Sequence, residues 1–178
     1  MKLTEKRKDR RSEAAQGLSG KLPAQRLVVS PASSFLIALA VFLLDQLTKY
    51  LIKTYMGPFD VIRIFPFFHI VYVENIGSAF GMFKSLGNVF FIAIALLAML
   101  FVSILVVKDK DNRIVFSLIL GGAAGNLADR LIHGYVIDFL DFSAGKHHWP
   151  SFNVADSALT VGILLLLYKS FFQPGKDT

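Results

Sequence analysis

Long apolar runs alternate with short polar stretches along this chain. Four of the runs, over residues 33–51, 88–107, 113–132 and 155–172, approach the about 20 helical residues that cross a bilayer. Residues 60–83 follow a different rhythm. There β-branched and aromatic residues alternate in Val61-Ile62-Arg63-Ile64-Phe65 and His69-Ile70-Val71-Tyr72-Val73, which predicts short strands interrupted at Pro66. The pattern as a whole predicts an all-α membrane protein, a four-transmembrane-helix bundle with a small β-containing loop region outside the membrane. The first run is too long for a secretory signal, carries Asp45 and Lys49, and has no small-residue cleavage site after it, so it is expected to be retained.

Composition agrees. Hydrophobic residues make up 54% of the 178, and the 17 phenylalanines exceed what a soluble surface hides. With no cysteine, thiol catalysis, disulfides and thiolate metal sites are excluded. The net charge of +6 is uneven: 8 of the 19 basic residues precede residue 27. Residues 1–32 therefore read as a basic, disordered cytoplasmic tail, 33–172 as one transmembrane domain and 173–178 as a short second tail. Attraction to anionic lipid accounts for the basic tail, and the absence of interleaved aromatics argues against nucleic acid as a partner. Basic residues concentrate in the tail, the 108–113 turn and the C-terminus, so both termini are expected in the cytoplasm and the loops 52–87 and 133–154 outside.

With that orientation the intramembrane polar residues gather at one leaflet. Asp45 and Lys49 lie one turn apart in the outer half of the first helix, Asn126, Asp129 and Arg130 near the outer end of the third, and Asp156 at the start of the fourth. Asp138 and Asp156 stand at a membrane boundary, where a charge is costly and marks a candidate functional site. The second helix is apolar throughout and is expected to face lipid. Gly121-Gly122-Ala123-Ala124-Gly125 is a small-residue pattern suited to close helix packing, and it would also leave space beside the two aspartates for a substrate helix. His147 and His148 are adjacent with no carboxylate at ligand spacing, so no metal is expected there, and Trp149 reads as an interfacial anchor.

Five motifs in register on this frame, Asp45-Gln46-Leu47-Thr48-Lys49, Asn75-Ile76-Gly77-Ser78-Ala79-Phe80, Gly125-Asn126-Leu127-Ala128-Asp129-Arg130, Val136-Ile137-Asp138-Phe139 and Phe152-Asn153-Val154-Ala155-Asp156-Ser157, resemble the lipoprotein signal peptidase family, also called signal peptidase II. The resemblance covers residues 33–172. It implies a multi-pass aspartic endopeptidase of the bacterial inner membrane, active near the periplasmic face, that removes signal peptides from prolipoproteins on the amino side of a diacylglyceryl-modified cysteine. Matched motif by motif, the catalytic aspartates fall on Asp138 and Asp156, and the substrate-binding or supporting residues on Asn126, Arg130, Asn153, Asn75, Asp45 and Lys49. The implied partners are the modified prolipoprotein and membrane lipid; no cofactor is expected, and a monomer suffices for lateral entry from the bilayer. Where the family usually has Ala, this chain has Ser78.

The chemistry is consistent with that reading. Without a metal or a Ser or Cys nucleophile, peptide hydrolysis needs a base to activate water and an acid to protonate the carbonyl oxygen or leaving amine, and two carboxylates sharing a proton supply both. For the supporting residues two uses are weighed. Arg130 holds a substrate carbonyl or lipid headgroup, or else pairs with Asp129 or Asp141 and anchors its helix. Asn126 binds the substrate backbone or orients Asp138. Asn75 and Asn153 clamp an extended peptide, or Asn153 caps the fourth helix. Asp45 and Lys49 form a structural bridge or support the site. Asp129 and Asp141 are read as solvated or ion-paired rather than catalytic. A Gly-x-Gly-Asp intramembrane protease motif is missing, and a small transporter with an acidic relay is the alternative function, disfavoured by the clustering at one leaflet.

Overall fold

The computed structural model describes residues 29–77 and 87–172. Ser78 and Lys84 lie outside these, as do nearly all of the basic N-terminal segment and residues 173–178. Among the described residues four helices and four strands follow in the order α1 (Pro31–Tyr55), β1 (Val61–Phe65), β2 (Phe68–Asn75), α2 (Gly87–Lys108), α3 (Arg113–Ile132), β3 (Val136–Ala144), β4 (His147–His148) and α4 (Val154–Phe172). All four helices are long and apolar enough to cross a membrane. The chain is a multi-pass membrane protein.

Helix α1 starts where the sequence supplies both an N-cap and a proline. The Ser30 hydroxyl accepts the Ser33 amide at 3.1 Å, and Pro31 occupies the first turn, where its missing N–H costs nothing. Helix α3 is the axis of the bundle and the most buried span. Three glycines make that possible. A β-carbon on Gly121 would lie 2.5 Å from the Ala38 carbonyl oxygen of α1, and one on Gly122 would lie 2.5 Å from the Ala155 carbonyl oxygen of α4. One on Gly125 would run into the Asp45 carboxylate. The small-residue stripe packs helix against helix as expected, and α1 and α4 fill the space it leaves, so no gap for a substrate helix remains there. Ala38, Val102, Val106, Phe116 and Leu120 form the apolar core between α1, α2 and α3.

At the far end of the bundle from the polar motifs, Arg113 is buried and closes off α2. Its guanidinium donates to the carbonyls of Val106 at 3.0 Å, Val107 at 3.1 Å and, beyond the helix, Val29 at 2.8 Å. The last carbonyls of a helix have no partners within it, and a cation there satisfies them and suits the helix dipole. Helix α2 itself is apolar all round and largely exposed, in keeping with a surface that meets lipid.

The strands form one antiparallel order β1-β2-β3-β4. β1 and β2 lie where the alternation predicts them. β3 was not predicted: it pairs Asn75 with Val136, Val73 with Asp138 and His69 with Asp141, so the second loop adds a strand to the first. β1 is the edge strand and is exposed along its whole length, Val61, Ile62, Ile64 and Phe65 included, which makes it an apolar margin of the sheet.

Candidate active site

On a strand, successive side chains point to opposite faces, so Asp138 and Asp141, three residues apart on β3, are sent to different sides of the sheet. Asp141 meets its cross-strand neighbour His69 at 3.3 Å and His148 at 2.9 Å. That side opens on a cavity of about 620 Å³ lined by Arg63, His69, Asp141, His148 and Trp149, among others, and it contains neither Asp138 nor Asp156. Asp141 therefore faces two imidazoles on the side away from Asp138, and His148 is turned to a carboxylate.

Asp138 faces the helices and is 1% exposed. Its Oδ2 accepts the Asn75 amide at 2.9 Å and its Oδ1 the Asn153 amide at 2.8 Å. Burial pushes its carboxyl up to about 7, and the nearby charge of Asp156 adds to this; the two amide donors and the Lys49 ammonium oppose it. Asp156 sits in the first turn of α4. Its Oδ1 accepts the Asn126 amide at 2.7 Å, and its Oδ2 lies 3.3 Å from the Asn153 backbone nitrogen. The Asn153 side-chain oxygen takes the Asp156 backbone N–H at 2.9 Å in return. This is a reciprocal capping box, with Asn and Asp in place of the usual Ser and Glu. Asn153 thus caps α4 and grips Asp138 with one side chain, and so joins the two aspartates.

Behind the pair lies a buried polar layer. Lys49, 2% exposed, reaches Asp45 at 2.8 Å, Asp129 at 3.0 Å and the Asn126 side-chain oxygen at 3.0 Å. Asp45 also accepts the Ala155 amide at 2.9 Å, and Asp129 accepts that of Ile137 at 3.0 Å. Through these bonds α1 and α3 fix the start of α4 and the start of β3, the two elements that carry the aspartates. Gln46 completes the layer, donating to Asp129 at 3.0 Å and to the Gly125 carbonyl at 3.2 Å. Sequence reasoning passed over Gln46. The signal was there, since Gln46 and Lys49 share a helix face at i, i+3 inside a motif already singled out.

Two expectations need correction. Asn126 binds Asp156, not Asp138. The amide groups of Asn75 and Asn153 are both directed to Asp138, and of the two uses weighed for Asn153 the helix cap is the one formed. Arg130 pairs with neither Asp129 nor Asp141, which are held by Lys49 and by the two histidines. Its guanidinium instead donates to the Asn126 carbonyl at 3.2 Å and lies over the Phe91 ring at 5.2 Å, within electrostatic reach of Asp156 and Asp138. That places a half-buried cation beside the pair.

Comparison with known proteins agrees with this geometry. The family model described as Signal peptidase (SPase) II matches residues 37–172. The chain is 52% identical over 130 residues to the lipoprotein signal peptidase of Thermodesulfovibrio yellowstonii, covering 73% of this chain and 88% of that one. To the lipoprotein signal peptidase of Francisella tularensis subsp. novicida it is 41% identical over 151 residues, 80% of this chain and 94% of the relative. A bacterial membrane enzyme solved by the in meso method at 2.3 Å resolution superposes with a TM-score of 0.73 at 33% identity, covering 83% of this chain and 94% of that one.

Proposed function

The chain belongs to the signal peptidase II family and removes signal peptides from prolipoproteins, and we propose that it does so as an aspartic peptidase with Asp138 and Asp156 as the catalytic pair. The observation that carries this is that one residue, Asn153, holds both aspartates: its side-chain amide donates to the Asp138 carboxylate of β3 while its side-chain oxygen takes the Asp156 backbone N–H and its backbone nitrogen faces the Asp156 carboxylate of α4, with the Asp138 carboxyl held near 7. At neutral pH such a pair shares a proton, so one member is base and the other acid.

In the proposed reaction one carboxylate takes a proton from water as the water oxygen bonds to the scissile carbonyl carbon. The other carboxylic acid gives its proton to the carbonyl oxygen. The resulting gem-diol collapses as one of its hydroxyls returns a proton to the carboxylate that acted as acid, the carbon–nitrogen bond breaks, and the departing cysteine nitrogen is protonated by the member that first acted as base. The signal peptide leaves with a carboxyl terminus and the lipoprotein keeps its diacylglyceryl-cysteine amine. General acid–base work of this kind contributes ~10²–10⁴-fold, with positioning supplying more.

The finer assignment is that cleavage falls on the amino side of the lipid-modified cysteine, in the bacterial inner membrane, with both termini cytoplasmic and the site at the periplasmic leaflet. The excess of basic residues on the termini and the 108–113 turn supports it, and the exposed apolar edge strand β1 suits a substrate that stays in the bilayer as it reaches a monomeric enzyme. A gel-shift assay with purified protein tests the proposal. Only the diacylglyceryl-modified prolipoprotein should be cleaved, and Asp138→Asn and Asp156→Asn should each fold yet be inactive. Cleavage surviving either substitution would remove the pair from the mechanism.

A further inference from the structure

An ammonium has three N–H donors and no acceptor, whereas an asparagine amide offers an oxygen on one side and a donor pair on the other. Lys49 spends its three donors on three acceptors: Asp45, Asp129 and the side-chain oxygen of Asn126. Because Lys49 can only donate, Asn126 must turn its oxygen toward α1. Its Nδ2 is then left facing Asp156, 2.7 Å away. The neighbouring amide is locked by a different bond. The Asn153 oxygen is taken by the Asp156 backbone N–H, so its Nδ2 is left for Asp138, and that same Nδ2 lies 3.2 Å from the Asn126 oxygen. Both asparagines are therefore fixed with donors toward the aspartates, one by a buried cation and one by a helix start.

We propose that Lys49 is a positioning residue that fixes the direction of this two-amide relay, so that each catalytic aspartate meets an N–H donor and never an amide oxygen. An amide oxygen facing either carboxylate would favour its protonated form and hold both protons on the pair. An N–H donor favours the ionised form and keeps one member free to act as base. Lys49 touches neither catalytic aspartate; it acts through Asn126, and its charge adds to the same effect across space. The charged groups around the pair are Asp45 and Lys49 from α1, Asp129 and Arg130 from α3, and the two aspartates themselves from β3 and α4. Lys49 is the buried cation among them. This inference rests on the catalytic pair proposed above.

The test uses the full chain in detergent with diacylglyceryl-modified prolipoprotein, and kcat and KM measured across pH for Lys49→Met, Lys49→Arg and Asp129→Asn. Lys49→Met should lower kcat by about tenfold or more with KM within about threefold, and move the alkaline limb of kcat to higher pH. Lys49→Arg keeps the donors and the charge, so its limb should return to the wild-type position. Asp129→Asn removes a neighbouring negative charge and should move the limb the other way, to lower pH. Should Lys49→Met not fold, the Asp129→Asn profile decides: a shift to lower pH supports the relay, and an unmoved or upward limb overturns it. It is equally overturned if Lys49→Met loses activity only in proportion to its folded fraction with an unshifted profile, or if Lys49→Arg shifts as Met does. Asp138→Asn and Asp156→Asn run alongside as controls. Residual cleavage in either would sink the catalytic pair, whereas inactive controls with unmoved Lys49 and Asp129 profiles would sink the relay alone.

Discussion

Replacing Asp138 with Asn should make the protein more stable as the pH rises, and the structure sets the size of the effect. In the unfolded chain the carboxyl titrates near its ordinary 3.8; in the folded protein burial and the Asp156 charge move it to about 7. Between those values the folded state holds a proton that the unfolded state has lost. Whatever stability the neutral carboxyl supports is fully present below 3.8 and is lost as the pH rises through 7. At about 1.4 kcal/mol per pH unit, the ionised wild type forfeits on the order of 4 kcal/mol by pH 8 relative to pH 4. Asparagine does not titrate, but its NH₂ must face either the Asn75 or the Asn153 donor, an offset of about 1–3 kcal/mol. That offset is the same at every pH. The quantity to measure is therefore the difference between Asp138→Asn and wild type, followed from pH 4 to 8 by reversible unfolding in mixed detergent. Trp149, the only tryptophan of the chain, supplies a fluorescence signal beside the sheet, where its amide is bonded to Phe142. The difference should move in favour of Asn with pH and level off above 7. Two curves that stay parallel across the range would show that Asp138 ionises as it does in water, and the argument for a shared proton would go with it.

Gly122→Ala puts a methyl group 3.0 Å from the Leu159 side chain and 2.5 Å from the Ala155 backbone carbonyl of α4, which cannot move without shifting the helix. A loss of about 1–3 kcal/mol in the same unfolding assay is expected, accompanied by reduced cleavage, because α4 carries Asp156. Asp141→Asn, on the other face of the sheet, should keep kcat/KM within about threefold of wild type in the gel-shift assay despite the loss of its histidine pairing. A hundredfold loss there would mean that the pleat does not separate the two aspartates.

The helices were legible because each is a long apolar run with few charges, and the structure moves their ends by no more than four residues: α1 extends from Pro31 to Tyr55 where 33–51 was expected. The first two strands were legible from alternation. β3 was not. Val136, Ile137, Asp138 and Phe139 are all buried, so both faces of the strand are covered and the inside–outside alternation that marks a strand is missing. Its partner, moreover, lies over sixty residues earlier, a distance no local pattern spans. The residues of the site could be named from their motifs. Who holds whom could not: helical spacing linked Asn126 to Arg130, and the structure bears that out, but Asn126 reaches Asp156 across a gap between elements that spacing on one helix cannot measure. The same limit hid the escape of Asp129 from its neighbour Arg130 to Lys49.

The alternating pleat of β3 makes the sheet a counting device. Asp138 looks toward the helices and Asp141 toward the open cavity because they are three positions apart, an odd offset, and the irregular pairing between Ile70 and Val73 lies on β2, not on β3. One residue inserted between Phe139 and Leu140 would give the two carboxylates the same parity and force the strand to surrender one of them: either Asp138 turns away from Asn153, or Asp141 leaves its histidines. Two inserted residues would restore the original parity. Tolerance to insertion in this strand should therefore follow odd and even rather than length, a rule written in the backbone that no substitution of side chains can rewrite.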